Sequence, residues 1–152
     1  MTSLHTPATA GIDVGATLCK LALRREAWST ASYPSNDLGA VRALVEGWNP
    51  ARVVATGGGA DRLGTEIAGV PVEHVSEFDA WGRGAPMVAA EEGIGLPARH
   101  LLVSLGTGTS ILSVDDGRVA RVGGTALGGG TLLGLGRLIL GVDSFGELAA
   151  MA

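Results

Sequence analysis

"GIDVGATLCKLAL" runs from Gly11 to Leu23 and reads as strand, tight turn, strand. Ile12 and Val14 lead into Gly15, and Leu18, Leu21 and Leu23 leave the turn, so apolar residues flank a glycine on both sides. Asp13 ends the first apolar run, where a carboxylate is unwelcome without a partner. Lys20, the only lysine beside ten arginines, follows the turn. The same β-turn-β pattern returns in "LLVSLGTGTSILSV" at residues 101–114, and an internal echo of this kind points to a duplicated fold.

Working outward, "WSTASYP" is predicted as an edge strand ended by Pro34. Asn36 or Asp37 then caps a helix to about Gly47, with Val41, Leu44 and Val45 as its apolar stripe. "ARVVATGGGADRLGTEIAG" is predicted as a buried strand, a glycine turn and a helix. "VPVEHVSEF" is a further strand, and "DAWGRGAPMVAAEEGI" is helical in its second half. The first 95 residues thus read β-β-β-α-β-α-β-α. After the echo, "DDG" makes a hairpin turn into "RVARVGG", and "TLLGLGRLILG" and "SFGELAAMA" are short helices. The expected domains are residues 1–96, complete, and residues 97–152, the beginning of a second that looks cut off.

Composition excludes several classes. The chain has 152 residues, 46% of them hydrophobic and 17% charged, which suits a folded domain rather than disorder. A net charge of −4 and 4% aromatics argue against nucleic acid. Cys19 is alone and the histidines (His5, His74, His100) are not ligand-spaced, so no multi-cysteine metal site is expected. "MTSLHTPATA" lacks the form of a signal peptide, and residues 126–142 are broken by Arg137 and by glycines, so neither export nor a membrane span is expected. A cytoplasmic location follows as the expectation. The outlier is glycine, 25 residues in clusters at the ends of apolar runs, where backbone must approach something closely or turn sharply.

The glycine loops differ from the two commonest phosphate binders. A P-loop is excluded because no Gly-Lys pair exists. "GGGADRLG" fails the dinucleotide fingerprint because Arg62 stands where its third glycine belongs. Two β-hairpin turns, "DVGAT" at 13–17 and "GTGTS" at 106–110, fit a third type in which each turn offers backbone N–H groups to phosphates. "GIDVGATLCKLAL" resembles the first phosphate loop of the actin/hexokinase/Hsp70 superfamily, with Ala16 in place of its second glycine. Together with "ATGGGA", "VSEFDA", "SLGTGTSI" and "RVGGTALGGGTLLGLG", the chain resembles the type II pantothenate kinases, the fumble-like group.

The resemblance implies an α/β fold of the actin-like ATPase (ribonuclease H-like) type and ATP-dependent phosphorylation of pantothenate, the first step of coenzyme A synthesis. It implies that Asp13 holds Mg²⁺ through water, the alternative being an Asx turn. Gly15, Ala16, Thr17 and Lys20 would bind ATP phosphates, Lys20 as a compact charge at the transferring group. Gly106, Thr107, Gly108, Thr109 and Ser110 would form the second phosphate loop, with Thr107 and Ser110 turned toward pantothenate. Glu77 would accept the hydroxyl proton, with Asp79 as its local competitor. Arg121 would fix the pantothenate carboxylate through its guanidinium fork. Gly128, Gly129 and Gly130 would turn the chain into a helix with a bare N-terminus against the nucleotide. Gly57, Gly58 and Gly59 either line the pantothenate pocket or pack a helix on a strand. The family further implies a homodimer and feedback by coenzyme A or acyl-coenzyme A. Two other readings stay open: a sugar kinase of the same superfamily, and a non-catalytic module binding nucleotide or coenzyme A.

Overall fold

A computed structural model describes residues 7–151, so His5 lies outside the described residues. The chain divides inside its second α-helix into two compact units, one ending at Ala80 and the other beginning at Trp81.

The first unit is built on a six-stranded mixed sheet of order β3-β2-β1-β4-β6-β5. β1 (Thr9–Val14), β2 (Leu18–Arg24) and β3 (Trp28–Pro34) form an antiparallel meander. Pro34 closes β3, which is the sheet edge, as the missing N–H of proline requires. α1 (Leu38–Trp48) starts at Asp37, whose Oδ1 accepts the Ala40 N–H at 3.0 Å, and ends on left-handed Asn49. β4 (Arg52–Thr56) then pairs parallel with β1. α1 covers one face of the sheet: Val41 and Val45 are buried with Ala10, Ile12, Val14, Cys19, Leu21, Leu23, Val53 and Ala55. Alternation then places Asp13, Lys20 and Thr56, which share a register row, on the opposite face.

One expected element differs. The helix predicted after the triple glycine is a single 3₁₀ turn, Ala60–Leu63, followed by the two-residue strand β5 (Glu66–Ile67). Gly64, at φ 71°, stops the turn, and Leu63 and Ile67 drop into the core, so no further turn of helix has an apolar stripe to bury. β6 (Val70–His74) pairs parallel with β4 and antiparallel with β5.

α2 (Glu77–Glu91) is longer than its expected second half. Ser76 caps it: its Oγ accepts the Asp79 N–H at 3.1 Å and donates to Asp79 Oδ2 at 2.7 Å, a reciprocal arrangement of the capping-box kind. Pro86 lies within the helix, where it can donate no backbone hydrogen bond, and the residue four before it is Gly82. Gly82 is buried against Val119, and the lack of a β-carbon lets the helix come close to β9 there.

The second unit continues with an antiparallel meander of β7 (Arg99–Leu105), β8 (Thr109–Asp115) and β9 (Arg118–Thr125). Asp116 and Gly117, both at positive φ, make the expected tight hairpin between β8 and β9. α3 (Gly129–Leu140) follows, and α4 (Phe145–Ala150) is capped by Ser144. Gly136 of α3 fits against Leu148 of α4. Among the described residues no helix is long and apolar enough to cross a membrane.

Candidate functional site

In the first unit the turn between β1 and β2 is closed by the Gly15 N–H on the Leu18 carbonyl at 3.1 Å. A β-carbon on Gly15 would stand 3.0 Å from that carbonyl oxygen, so the turn is tight at this residue. Ala16 is not among the residues at positive φ, so alanine in place of the family's second glycine carries no backbone strain. A strut braces the turn from behind. Buried Ser35 donates its hydroxyl to the Gly15 carbonyl at 2.7 Å, and its N–H reaches the Thr17 carbonyl at 3.0 Å. Sequence reasoning missed Ser35; its only signal was a polar residue placed directly after the strand-ending Pro34.

Three residues, Gly15 to Thr17, separate the two strands, and in this register Asp13 pairs directly with Lys20. Their side chains meet at 3.0 Å, Nζ to Oδ2, with Lys20 62% exposed and Asp13 20% exposed. The two oxygens of Asp13 are therefore unlike. Oδ2 accepts from Lys20, whereas Oδ1 is buried with no hydrogen-bond partner. Thr56, in register with Asp13 on β4, has a hydroxyl oxygen in the same condition. Two buried, unsatisfied oxygens on neighbouring strands are costly unless something polar joins them.

Glu77 begins α2 and completes a charged group. Partial burial and the Asp13 carboxylate push its carboxyl above the ordinary glutamate range, while Lys20 pulls the other way. Asp13, Lys20 and Glu77 thus sense one another's charge. Asp79, the local competitor, is tied into the helix cap by Ser76.

In the second unit the turn between β7 and β8 is closed by the Gly106 N–H on the Gly108 carbonyl at 2.9 Å. Thr109 donates its hydroxyl to the Leu127 carbonyl at 2.7 Å. The glycines of 128–130 lie directly on this turn. A β-carbon at Gly128 would fall 2.7 Å from the Thr107 carbonyl oxygen, and one at Gly130 would fall 2.6 Å from Thr107 Cγ2. The Gly129 N–H reaches the Gly106 carbonyl at 2.8 Å. The three glycines in a row are needed, then, for one glycine turn to seat on another. Among the described residues no backbone acceptor takes the N–H of Gly130 or Thr131 at the start of α3.

Arg121 stands opposite Leu112, and a β-bulge at Val122 shifts the register so that Gly124 faces Ser110. Arg121 and Ser110 therefore share a face of the second sheet. A β-carbon on Gly124, whose φ is 154°, would strike Arg121 Nη2 at 2.5 Å and the Thr109 carbonyl oxygen at 2.6 Å. Gly124 is thus the floor under the guanidinium, a role that sequence reasoning missed. Among the described residues Arg121 meets no carboxylate.

No three His, Cys, Asp or Glu residues gather to cage a metal among the described residues. A Mg²⁺ ion suits such a site, since it keeps several waters and binds through one or two carboxylates together with substrate phosphates. The partnerless Oδ1 of Asp13 beside the Thr56 hydroxyl fits a hydrated ion of that kind.

Residues 96–152 match the Fumble family. The chain is 32% identical over 145 residues to a type II pantothenate kinase of Staphylococcus aureus, covering 93% of this chain and 53% of that one. It is 29% identical over 144 residues to a type II pantothenate kinase of Bacillus cereus, covering 92% and 52% respectively. The chain spans about half the length of these curated relatives. Among solved structures, the activator of 2-hydroxyisocaproyl-CoA dehydratase from Clostridium difficile, with bound ADPNP, superposes with a TM-score of 0.60 at 22% identity. That match covers 90% of this chain and 53% of the activator. The chain is thus similar in sequence to type II pantothenate kinases, matches the Fumble family over residues 96–152, and has the actin-like ATPase fold.

Proposed function

We propose that the chain carries phosphate- and substrate-handling residues of a pantothenate kinase, which transfers the γ-phosphoryl group of ATP to the hydroxyl of pantothenate. The observation that carries this reading is the convergence of Asp13, Lys20 and Glu77 behind a glycine turn, in a relative of enzymes of that name. Residues 1–96 are proposed as one actin-like domain and 97–152 as part of its duplicate.

The roles follow from the chemistry of each group. Asp13 Oδ1 and the Thr56 hydroxyl would hold Mg²⁺ through water, and the ion when bound would offset phosphate charge. The N–H groups of the Gly15–Thr17 and Gly106–Thr109 turns would donate to phosphate oxygens. Lys20 swings from Asp13 toward the transferring phosphoryl group, which its long exposed stem permits. Glu77 accepts the hydroxyl proton, and a carboxyl held above its ordinary range is a stronger base for that task. Arg121, unpaired with any carboxylate of the described residues and seated on Gly124, would take the carboxylate of pantothenate beside Ser110. The positive end of the α3 helix dipole would favour an anion.

The test supplies ATP and Mg²⁺ with pantothenate or with glucose and measures ADP formed. Turnover dependent on pantothenate is expected. Turnover on glucose equal to or greater than that on pantothenate would replace this reading with a sugar kinase. Nucleotide binding without turnover on either would favour a non-catalytic module.

A further inference from the structure

The glycine triplet after β4 has no role in the scheme above, and its three members are not equivalent. A β-carbon on Gly58 would meet nothing within 4 Å. One on Gly59 would press on the Val14 side chain, 2.7 Å from Cγ1. One on Gly57 would fall 2.6 Å from Asp13 Oδ1, 2.6 Å from the Val14 carbonyl oxygen and 2.8 Å from its carbon. Gly57 also sits at φ 90°, where a side chain is strained. Its three nearest collisions fall on the Asp13 carboxylate and on the carbonyl of Val14, the next residue.

We propose that Gly57 is a positioning residue for Asp13. Lys20 holds one carboxylate oxygen from the exposed side, at 3.0 Å. The bare backbone of Gly57 leaves a seat for the other oxygen, next to the hydroxyl of Thr56, its neighbour in sequence and the register partner of Asp13. Oδ1 stays buried and partnerless in that seat, an acceptor left free for a water of a bound cation. Asp13 has only two side-chain torsions, so a β-carbon at position 57 forces a new rotamer or a shift of the Val14 carbonyl, and either one moves Oδ1. The inference rests on the Mg²⁺·ATP role proposed above.

Mn²⁺ serves as the probe. Free Mn²⁺ is counted by electron paramagnetic resonance in the presence of ADP, for the wild type and for Gly57→Ala, Gly58→Ala and Gly59→Ala. The Asp13 carboxyl ¹³C shift is recorded on the same samples without metal. Gly57→Ala should weaken Mn²⁺·ADP binding by about 10–100-fold, the range for residues that orient a metal ligand, and should move the Asp13 signal. Gly58→Ala should change neither. Gly59→Ala should lower the melting temperature and leave Mn²⁺ affinity at the wild-type value. In an Asp13→Ala background, Gly57→Ala should add no further loss of Mn²⁺ affinity. Full Mn²⁺ affinity in a folded Gly57→Ala overturns the proposal and leaves the kinase reading standing. Failure of the wild type to bind Mn²⁺·ADP overturns both. If Gly57→Ala does not fold, the double variant with Asp13→Ala decides. Recovery of folding there supports a clash with the carboxylate, and continued failure traces the strain to Val14 and overturns the proposal.

Discussion

In the first unit the hairpin of β1 and β2 buries one whole face, with Ala10, Ile12 and Val14 from one strand and Cys19, Leu21 and Leu23 from the other. The matching hairpin of β7 and β8 in the second unit buries only Leu112 and Val114, while Leu101, Val103 and Leu105 stay half exposed or more. Both hairpins follow the same pattern of apolar strand, glycine turn and apolar strand, so the local signal cannot be the cause of the difference. What differs is the layer above each sheet. α1 brings Val41 and Val45 onto the first, whereas α2 meets the second through Gly82 on Val119, a contact made close by the lack of a side chain. The chemistry divides too. In the proposed scheme charged side chains act from the first unit, and glycine backbone with one guanidinium from the second.

The largest expected effect tests that division of chemistry. Glu77→Gln should lower kcat for pantothenate phosphorylation by about 10²–10⁴-fold, the span of a general base. Asp79→Asn, which disturbs the Ser76 cap instead, should cost mainly stability. A Glu77→Gln enzyme within threefold of wild type would return Glu77 to the role of a helix-start residue. The division of burial is tested next. Ile12→Ala, at a site 2% exposed, should destabilise by about 2–5 kcal/mol in urea denaturation. Leu101→Ala, at a site 65% exposed, should change stability by no more than about 0.5 kcal/mol. Equal costs would show that the second sheet is covered in solution.

Much of this was legible in the sequence, and the reasons are local. Pro34, Asp37 and the Asp116–Gly117 pair each act within a few residues of their own position, so edge, cap and hairpin could be placed from the chain alone. The pairing of Asp13 with Lys20 follows from hairpin register and is local as well. What escaped was set by close approach between distant segments. Ser35 behind the first turn, Gly57 under Asp13 and Gly124 under Arg121 have no periodic signature. The helix expected at residues 60–69 failed similarly, because Leu63 and Ile67 are claimed by the core before a second turn can form.

A smaller effect is expected from the second unit's charge. Arg121→Ala should weaken pantothenate binding by about 1.5–3 kcal/mol, the scale of a hydrogen bond to a charged group, with ATP affinity unchanged. Calorimetry with pantothenate and with pantothenol, which lacks the carboxylate, checks it. Equal affinity of the wild type for the two would remove Arg121 from this role.

The smallest effect sets two glutamates of the first unit against each other. Glu77 has its carboxyl raised in the folded state, chiefly by burial and then by Asp13, so between its unfolded and folded values the native chain holds the extra proton. Stability rises with pH only where the unfolded state binds more protons, so Glu77 makes stability fall as pH rises through that window. Its contribution is fully present below the ordinary glutamate value and lost above the raised one. Glu73 runs the other way. Its hydrogen bond from Arg52 lowers its carboxyl, so its contribution is present above the ordinary value and lost on acidification. Glu77→Gln should therefore raise the melting temperature at neutral pH and lose that advantage in acid, even as it slows turnover. Glu73→Gln should lower the melting temperature at neutral pH by a small amount and converge on wild type in acid. Thermal scans of both variants across the acid range decide the matter. A Glu77→Gln protein less stable than wild type at neutral pH would mean that the Glu77 charge is favoured in the fold, and the argument for a strengthened base would go with it.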